Sequence, residues 1–171
     1  MTEYLFSGLA GIIHTVAAVL ALILGTAVLL MAKGTAIHKK IGYGYVMSML
    51  VVIATAFMIY ELFGGFGLFH VFALLSLVAL VGGLYPAVFR KRIKHWYVQH
   101  VEVMSWSVVG LYAAFVAEIS VRFFPPQYFF FIVGIGGGII TTMGAIHIKK
   151  EKRKIMNEIE PNMNSLPNSR K

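Results

Sequence analysis

Six histidines and seven acidic residues are scattered through a chain of 171 residues that contains no cysteine. Three of those histidines fall inside or at the mouth of long apolar runs: His14, His70 and His100. Three more, His38, His95 and His147, sit beside clusters of lysine and arginine. Glu61, Glu102 and Glu118 also lie in or against apolar sequence, and Arg122 follows Glu118 by four residues. Imidazoles held at matching depth on facing helices can bind a haem without a covalent bond. Two imidazoles with two carboxylates can hold zinc, iron or manganese, with a carboxylate free to act as general base. The same groups with no cofactor can form a polar relay through a carrier. Without cysteine, disulfides, iron–sulfur clusters, thiolate zinc sites and C-x-x-C-H haem attachment are excluded.

The elements that must position these groups are membrane helices. Hydrophobic residues make up 58% of the chain and charged residues only 13%, about half the charged share of a soluble domain. The apolar residues run in blocks, and a helix needs about 20 of them to cross the hydrocarbon core. Five blocks qualify, at residues 7–31, 42–62, 66–88, 98–121 and 127–148. None has the period-two alternation of a barrel strand. The N-terminus, MTEYLF, lacks the basic start of a signal peptide, so the first block is read as a retained span.

Basic residues cluster after the first block (Lys33, Lys39, Lys40), after the third (Arg90, Lys91, Arg92, Lys94) and after the fifth (Lys149, Lys150, Lys152, Arg153, Lys154). All three clusters share one side only with five spans, the N-terminus outside and the C-terminus inside. Topology thus accounts for the net charge of +8, and nucleic-acid binding is not needed to explain it. The expected fold is an all-α integral membrane protein in contact with the lipid bilayer. Its membrane domain covers residues 1–148, and residues 149–171 form a cytoplasmic basic tail that extends the fifth helix briefly and then becomes disordered.

An internal repeat organises the first four spans. HKKIGYGYVMSM, from His38, aligns without gaps to HWYVQHVEVMSW, from His95, and the same shift carries Glu61 onto Glu118. A shift one residue shorter carries Gly11, His14 and Ala17 onto Gly67, His70 and Ala73. The spacing predicts two copies of one helical hairpin, residues 8–62 and 66–121, forming a four-helix bundle with the fifth helix outside it. In that fifth helix Gly134 and Gly138 lie four apart, with Gly137 and Thr141 near them, a surface suited to close helix packing or to a homodimer.

Helical rise sets depth. His14 lies roughly 28 Å from Lys33, His70 roughly 30 Å from Arg90, and Glu118 about 36 Å from Lys94 along their helices. His14, His70, Glu61 and Glu118 therefore share the outer level, and His38, His95, His100, Glu102 and His147 the inner one, with His100 the deepest of these. His100, Met104, Ser107, Leu111, Ala114, Glu118 and Arg122 fall on one face of the fourth span, an interior seam in which Arg122 can pair with Glu118.

The pattern HTVAAVLALILG (His14, Gly25), IHKKIGYGYVMSM (His38, Gly42, Tyr45), QHVEVM (His100, Met104) and EISVR (Arg122) resembles the multi-pass bacterial membrane proteins grouped as domain of unknown function 2306 (DUF2306). The resemblance spans residues 8–122. QHVEVM departs from the family pattern, lacking a basic residue and a Trp directly after the His. The resemblance implies a small helical membrane bundle and carries no established reaction.

Three functional readings follow. The first is b-type haem binding and transmembrane electron transfer through His14 and His70 at the outer level and His38 and His100 at the inner level. The second is a membrane-embedded hydrolase or oxidase with zinc or iron held by His14, His70, Glu61 and Glu118. The third is a transporter or assembly factor without cofactor, using Glu118 and Arg122 as a polar relay. Interfacial histidines such as His38, His95 and His147 also suit plain helix capping or headgroup contact. No Walker loop, G-x-S-x-G, H-E-x-x-H or Rossmann fingerprint occurs, so soluble-enzyme chemistry has no motif here.

Overall fold

Each apolar run contributes a helix, and polar links separate the helices. The computed structural model describes residues 8–59 and 65–164. In order these form α1 (Gly8–Leu30), α2 (Ala36–Ala56), α3 (Leu68–Val88), α4 (Trp96–Phe123), a 3-10 turn (Pro126–Tyr128) and α5 (Phe129–Asn164), with no strand among the described residues. Gly34 takes a left-handed φ of 83°, and Thr35 then caps α2 by accepting a hydrogen bond from the backbone N–H of His38. This short link forces α1 and α2 into an antiparallel hairpin. The hairpin of α3 and α4 is its counterpart, and α5 runs back along α4. Thinner contacts of α2 with α3 and of α1 with α4 close the bundle, which places α1 diagonally opposite α3.

Among the described residues four helices are long and apolar enough to cross a membrane: Gly8–Leu30, Leu68–Val88, Trp96–Ser120 and Pro126–Glu158. The expected second span is the exception. Its helix starts at Ala36, ahead of the apolar run, so the polar turn HKK and the Gly and Tyr residues that follow dilute its hydropathy. α5 departs in the other direction and continues through the basic stretch to Asn164, well beyond the apolar segment that ends at Ile148.

The core is narrow. Ala21, Tyr45, Met49, Ile53, Ala73, Leu80, Val108 and Leu111 form one buried cluster. Around it Ile13, Val16, Ile23, Leu75, Val78 and Val81 stay exposed. A surface that apolar would not be tolerated in water, and lipid is its solvent. α1 turns only small residues and one imidazole inward: Gly11, His14, Ala17, Ala21 and Gly25. A Cβ at Gly25 would lie 3.0 Å from the ring of Tyr45, so the absent side chain makes room for that tyrosine. Tyr45 is fully buried, and its hydroxyl is hydrogen-bonded to Ser107 on α4. One level away Thr26 and Tyr112 form a second hydroxyl pair between α1 and α4. α5 approaches α4 through Gly136, against Val116, and Gly144, against Val109, while Gly134, Gly137 and Gly138 meet nothing.

Candidate functional site

Polar groups gather at the two ends of the bundle. At the end where α1 begins, His14 is 6% exposed and has both ring nitrogens engaged. The Thr55 hydroxyl donates to the Val51 carbonyl at 2.7 Å, so a lone pair faces His14 Nδ1 at 2.9 Å. His14 Nε2 lies 3.1 Å from Glu118 Oε1, and the other oxygen of Glu118 accepts from Arg122 Nη1 at 2.9 Å. This network ties α1, α2 and α4 together. Counting helical rise places His14 and Glu118 at one depth, and they meet. Thr55 is the partner that sequence reasoning missed. A lone hydroxyl in an apolar run was its only signal.

His70 stands apart from this cluster. Its Nδ1 accepts the backbone N–H of Gly67 at 3.1 Å, capping α3, and its ring packs against Phe66 and Phe57, with centroids 5.0 and 5.9 Å away. Among the described residues α1 and α3 hardly touch, and the hydrogen-bond partners of His14 are Thr55 and Glu118. Glu61 lies outside the described residues. Among the described residues no group of three His, Asp or Glu side chains is placed to hold a metal ion.

The opposite, basic end is built differently. A cavity of 460 Å³ opens between α1, α2, α3 and α4, lined by His38, His100, Lys33, Lys39, Arg90, Trp96, Tyr97 and Tyr45 with an apolar remainder that includes Leu84 and Met104. The size falls within the roughly 300–1,000 Å³ of small-molecule and cofactor pockets. No carboxylate lines it among the described residues, so its polar rim is cationic.

His100 is oriented by its neighbours. Gly83 on α3 lets α4 come close, because a Cβ there would stand 2.6 Å from Met104 Sδ and 3.0 Å from the Met104 backbone nitrogen. At that approach His100 Nδ1 reaches the Gly83 carbonyl at 2.7 Å. A carbonyl only accepts, so Nδ1 carries the hydrogen, and a neutral His100 keeps its lone pair on Nε2. Metal-binding histidines are commonly held by this kind of outer hydrogen bond. Pro86, one turn on inside α3, has no N–H to give to the Gly82 carbonyl, which loosens the ladder beside this contact.

His38, in the polar first turn of α2, has a buried Nδ1 with no hydrogen-bond partner among the described residues. Burial, and then the nearby His100 and Lys33, hold its imidazole below the ordinary histidine value. A neutral imidazole is the form that binds a metal centre. Lys33 donates to Glu151 on α5 at 3.2 Å, and Lys152 to Glu102 at 2.8 Å, so the extension of α5 braces two sides of this end. Ile155 adds a small apolar cluster there with Val98 and Val101. His147 is exposed on α5, and His95 precedes α4 with a left-handed φ of 57°.

Residues 11–148 match the family described as Predicted membrane protein (DUF2306). No curated protein and no solved structure matches. The matched stretch runs from the first turn of α1 to the apolar part of α5 and takes in both polar ends. The chain belongs to this family of predicted membrane proteins.

Proposed function

We propose that the cavity at the basic end is a b-type haem site, with His38 and His100 as its two imidazole ligands. The observation that carries this reading is the buried, unpartnered Nδ1 of His38 on the same cavity as His100, whose own Nδ1–H is committed to Gly83. Lys33, Lys39 and Arg90 on the rim supply charge for a dianionic porphyrin edge, and Trp96, Tyr97 and the aliphatic wall supply apolar surface for its body. When bound, haem supplies one-electron redox chemistry, tuned by its ligands and by how dry the pocket is. The chain's part is to hold two neutral imidazoles, neutralise carboxylates at the rim and keep water from the apolar wall.

The outer pair does not enter this reading. Both nitrogens of His14 already have partners, and His70 caps α3 through Nδ1. The network of His14, Thr55, Glu118 and Arg122 serves as a clamp on three helices in preference to a metal site or a relay. The electron carrier therefore has one haem level, at one membrane face.

That face is the cytoplasmic one in a five-span topology with the N-terminus outside. The gathering of the basic clusters at the cavity end supports it. α2 counts as a span because His38 lies at one end of the bundle and Thr55 at the other, about 26 Å apart along the helix. The two hairpins, each with a His near its start and another at its turn, support a duplicated unit. A bacterial cytoplasmic membrane suits this charge pattern, and the open glycine face of α5 suits a second copy of the chain.

The direct test is an absorption spectrum of detergent-purified protein from haem-supplied cells, air-oxidised and then dithionite-reduced. A Soret band with sharp reduced bands supports the reading, and a featureless spectrum from folded protein removes it.

A further inference from the structure

The turn between α3 and α4 carries a second recess, of 410 Å³, lined by Val88, Phe89, Arg90, Lys91 and Arg92. Two kinds of surface meet there. Val88 is 70% exposed and Phe89 41% exposed at the last turn of a lipid-facing helix, and the ring of Tyr85 packs at a tilt against Phe89 with centroids 4.7 Å apart. Directly after them come three consecutive basic residues, Arg90, Lys91 and Arg92, and Lys94 follows.

The nearby acids do not neutralise this turn. Glu102 is taken by Lys152 and Glu151 by Lys33, and among the described residues Arg90, Lys91, Arg92 and Lys94 form no ion pair. A positive-inside anchor explains basic residues at this level. It does not by itself explain a recess lined by exposed apolar side chains on one side of the sequence and basic ones on the other.

We propose that this recess binds the headgroup of an anionic phospholipid, with the phosphate among Arg90, Lys91 and Arg92 and an acyl chain along Val88 and Phe89. A free phosphate would use the charges and leave the apolar wall uncovered, whereas a lipid covers both. Clustered lysine and arginine at the headgroup level attract anionic lipid strongly enough for specific retention. Val88 and Arg90 border both spaces, whereas Lys91 and Arg92 line the recess alone, so those two side chains distinguish the lipid site from the haem reading.

The test compares two double variants of equal charge loss in the full chain, Lys91→Gln/Arg92→Gln and Lys149→Gln/Lys150→Gln, both at exposed positions of the basic end. Each is reconstituted in nanodiscs of mixed phosphatidylglycerol and phosphatidylcholine. The lipid retained after delipidation is then counted by native mass spectrometry. The turn variant should lose its retained phosphatidylglycerol about tenfold, while the α5 variant keeps most of it. Equal losses in the two variants would overturn the site in favour of a diffuse field. So would retention of the two lipids in their bulk ratio by the unaltered protein. Unchanged release of phosphatidylglycerol by inorganic phosphate supports a lipid occupant, and full release by it overturns one.

Discussion

His100 Nδ1 lies 2.7 Å from the carbonyl oxygen of Gly83, and that contact exists because α3 offers no side chain at Gly83. One missing Cβ thus sets both the distance between two helices and the tautomer of an imidazole that faces a cavity. The same backbone approach seats Met104, which fills the space a side chain at Gly83 would need.

Replacing that glycine should be costly, and replacing its neighbour should not. Gly83→Ala sets a Cβ against the Met104 backbone, so α3 and α4 must part. We expect a loss of about 1–3 kcal/mol and weaker haem retention. Gly82→Ala meets only Val103, at 3.6 Å, an ordinary contact, and should change stability little. Thermal unfolding of both variants in one detergent compares them directly.

At the other end the clamp can be cut from either side. Glu118→Ala leaves His14 Nε2 and Arg122 without their shared acceptor and should cost about 2 kcal/mol, typical of a hydrogen bond to a charged group. Arg122→Ala removes one bond from a partly exposed pair, leaves the His14 contact in place, and should cost less than about 1 kcal/mol. Haem content per folded protein should be unchanged in both variants, as read from the ratio of the Soret band to protein absorbance.

The pH dependence follows from His38. Its imidazole in the folded protein is held below the ordinary value of 6.5, mainly by burial. A lowered pKa on a base means that the unfolded chain takes the proton first. The stabilisation is therefore present in full above 6.5 and is lost as the pH falls through the lowered folded-state value. Thermal stability of the haem-free protein should drop across that window, and the drop should shrink in His38→Gln. A profile unchanged in that variant would place the titration elsewhere.

The extension of α5 is expected to be structural where it touches the bundle. Ile155 is buried against Val98 and Val101, so Ile155→Ala should cost about 2 kcal/mol and expose the end of α5 to protease. Removing either ion pair, Lys33 with Glu151 or Lys152 with Glu102, should cost less than about 1 kcal/mol and be masked by salt. Limited proteolysis in low and high salt reads both effects.

Much of the scaffold was legible because lipid imposes simple rules. The runs at residues 7–31, 66–88 and 98–121 correspond within about two residues to α1, α3 and α4, since apolar length and basic anchors set those ends. The start of α2 was not legible, because its cap, Thr35, lies in a polar link and the helix begins before its apolar run. The end of α5 was hidden for the opposite reason, as a charged stretch continued a helix that tertiary contacts from Glu151, Lys152 and Ile155 hold in place.

Depth counting brought His14 and Glu118 to one level, yet it carried no information on azimuth. It therefore could not separate His14 from His70 across the diagonal, or predict Thr55 as the partner of His14. The cavity that His38 and His100 share depends on the close approach at Gly83, and no periodicity in an apolar sequence reports which glycine faces a neighbour.

The most direct test of the account is the haem spectrum of four single variants, His14→Ala, His38→Ala, His70→Ala and His100→Ala, each purified as folded protein from haem-supplied cells. The account predicts a reduced b-type spectrum that is lost or converted to a five-coordinate form in His38→Ala and His100→Ala and retained in His14→Ala and His70→Ala. Loss in the second pair with retention in the first would contradict it, and so would the absence of any Soret band in the unaltered protein.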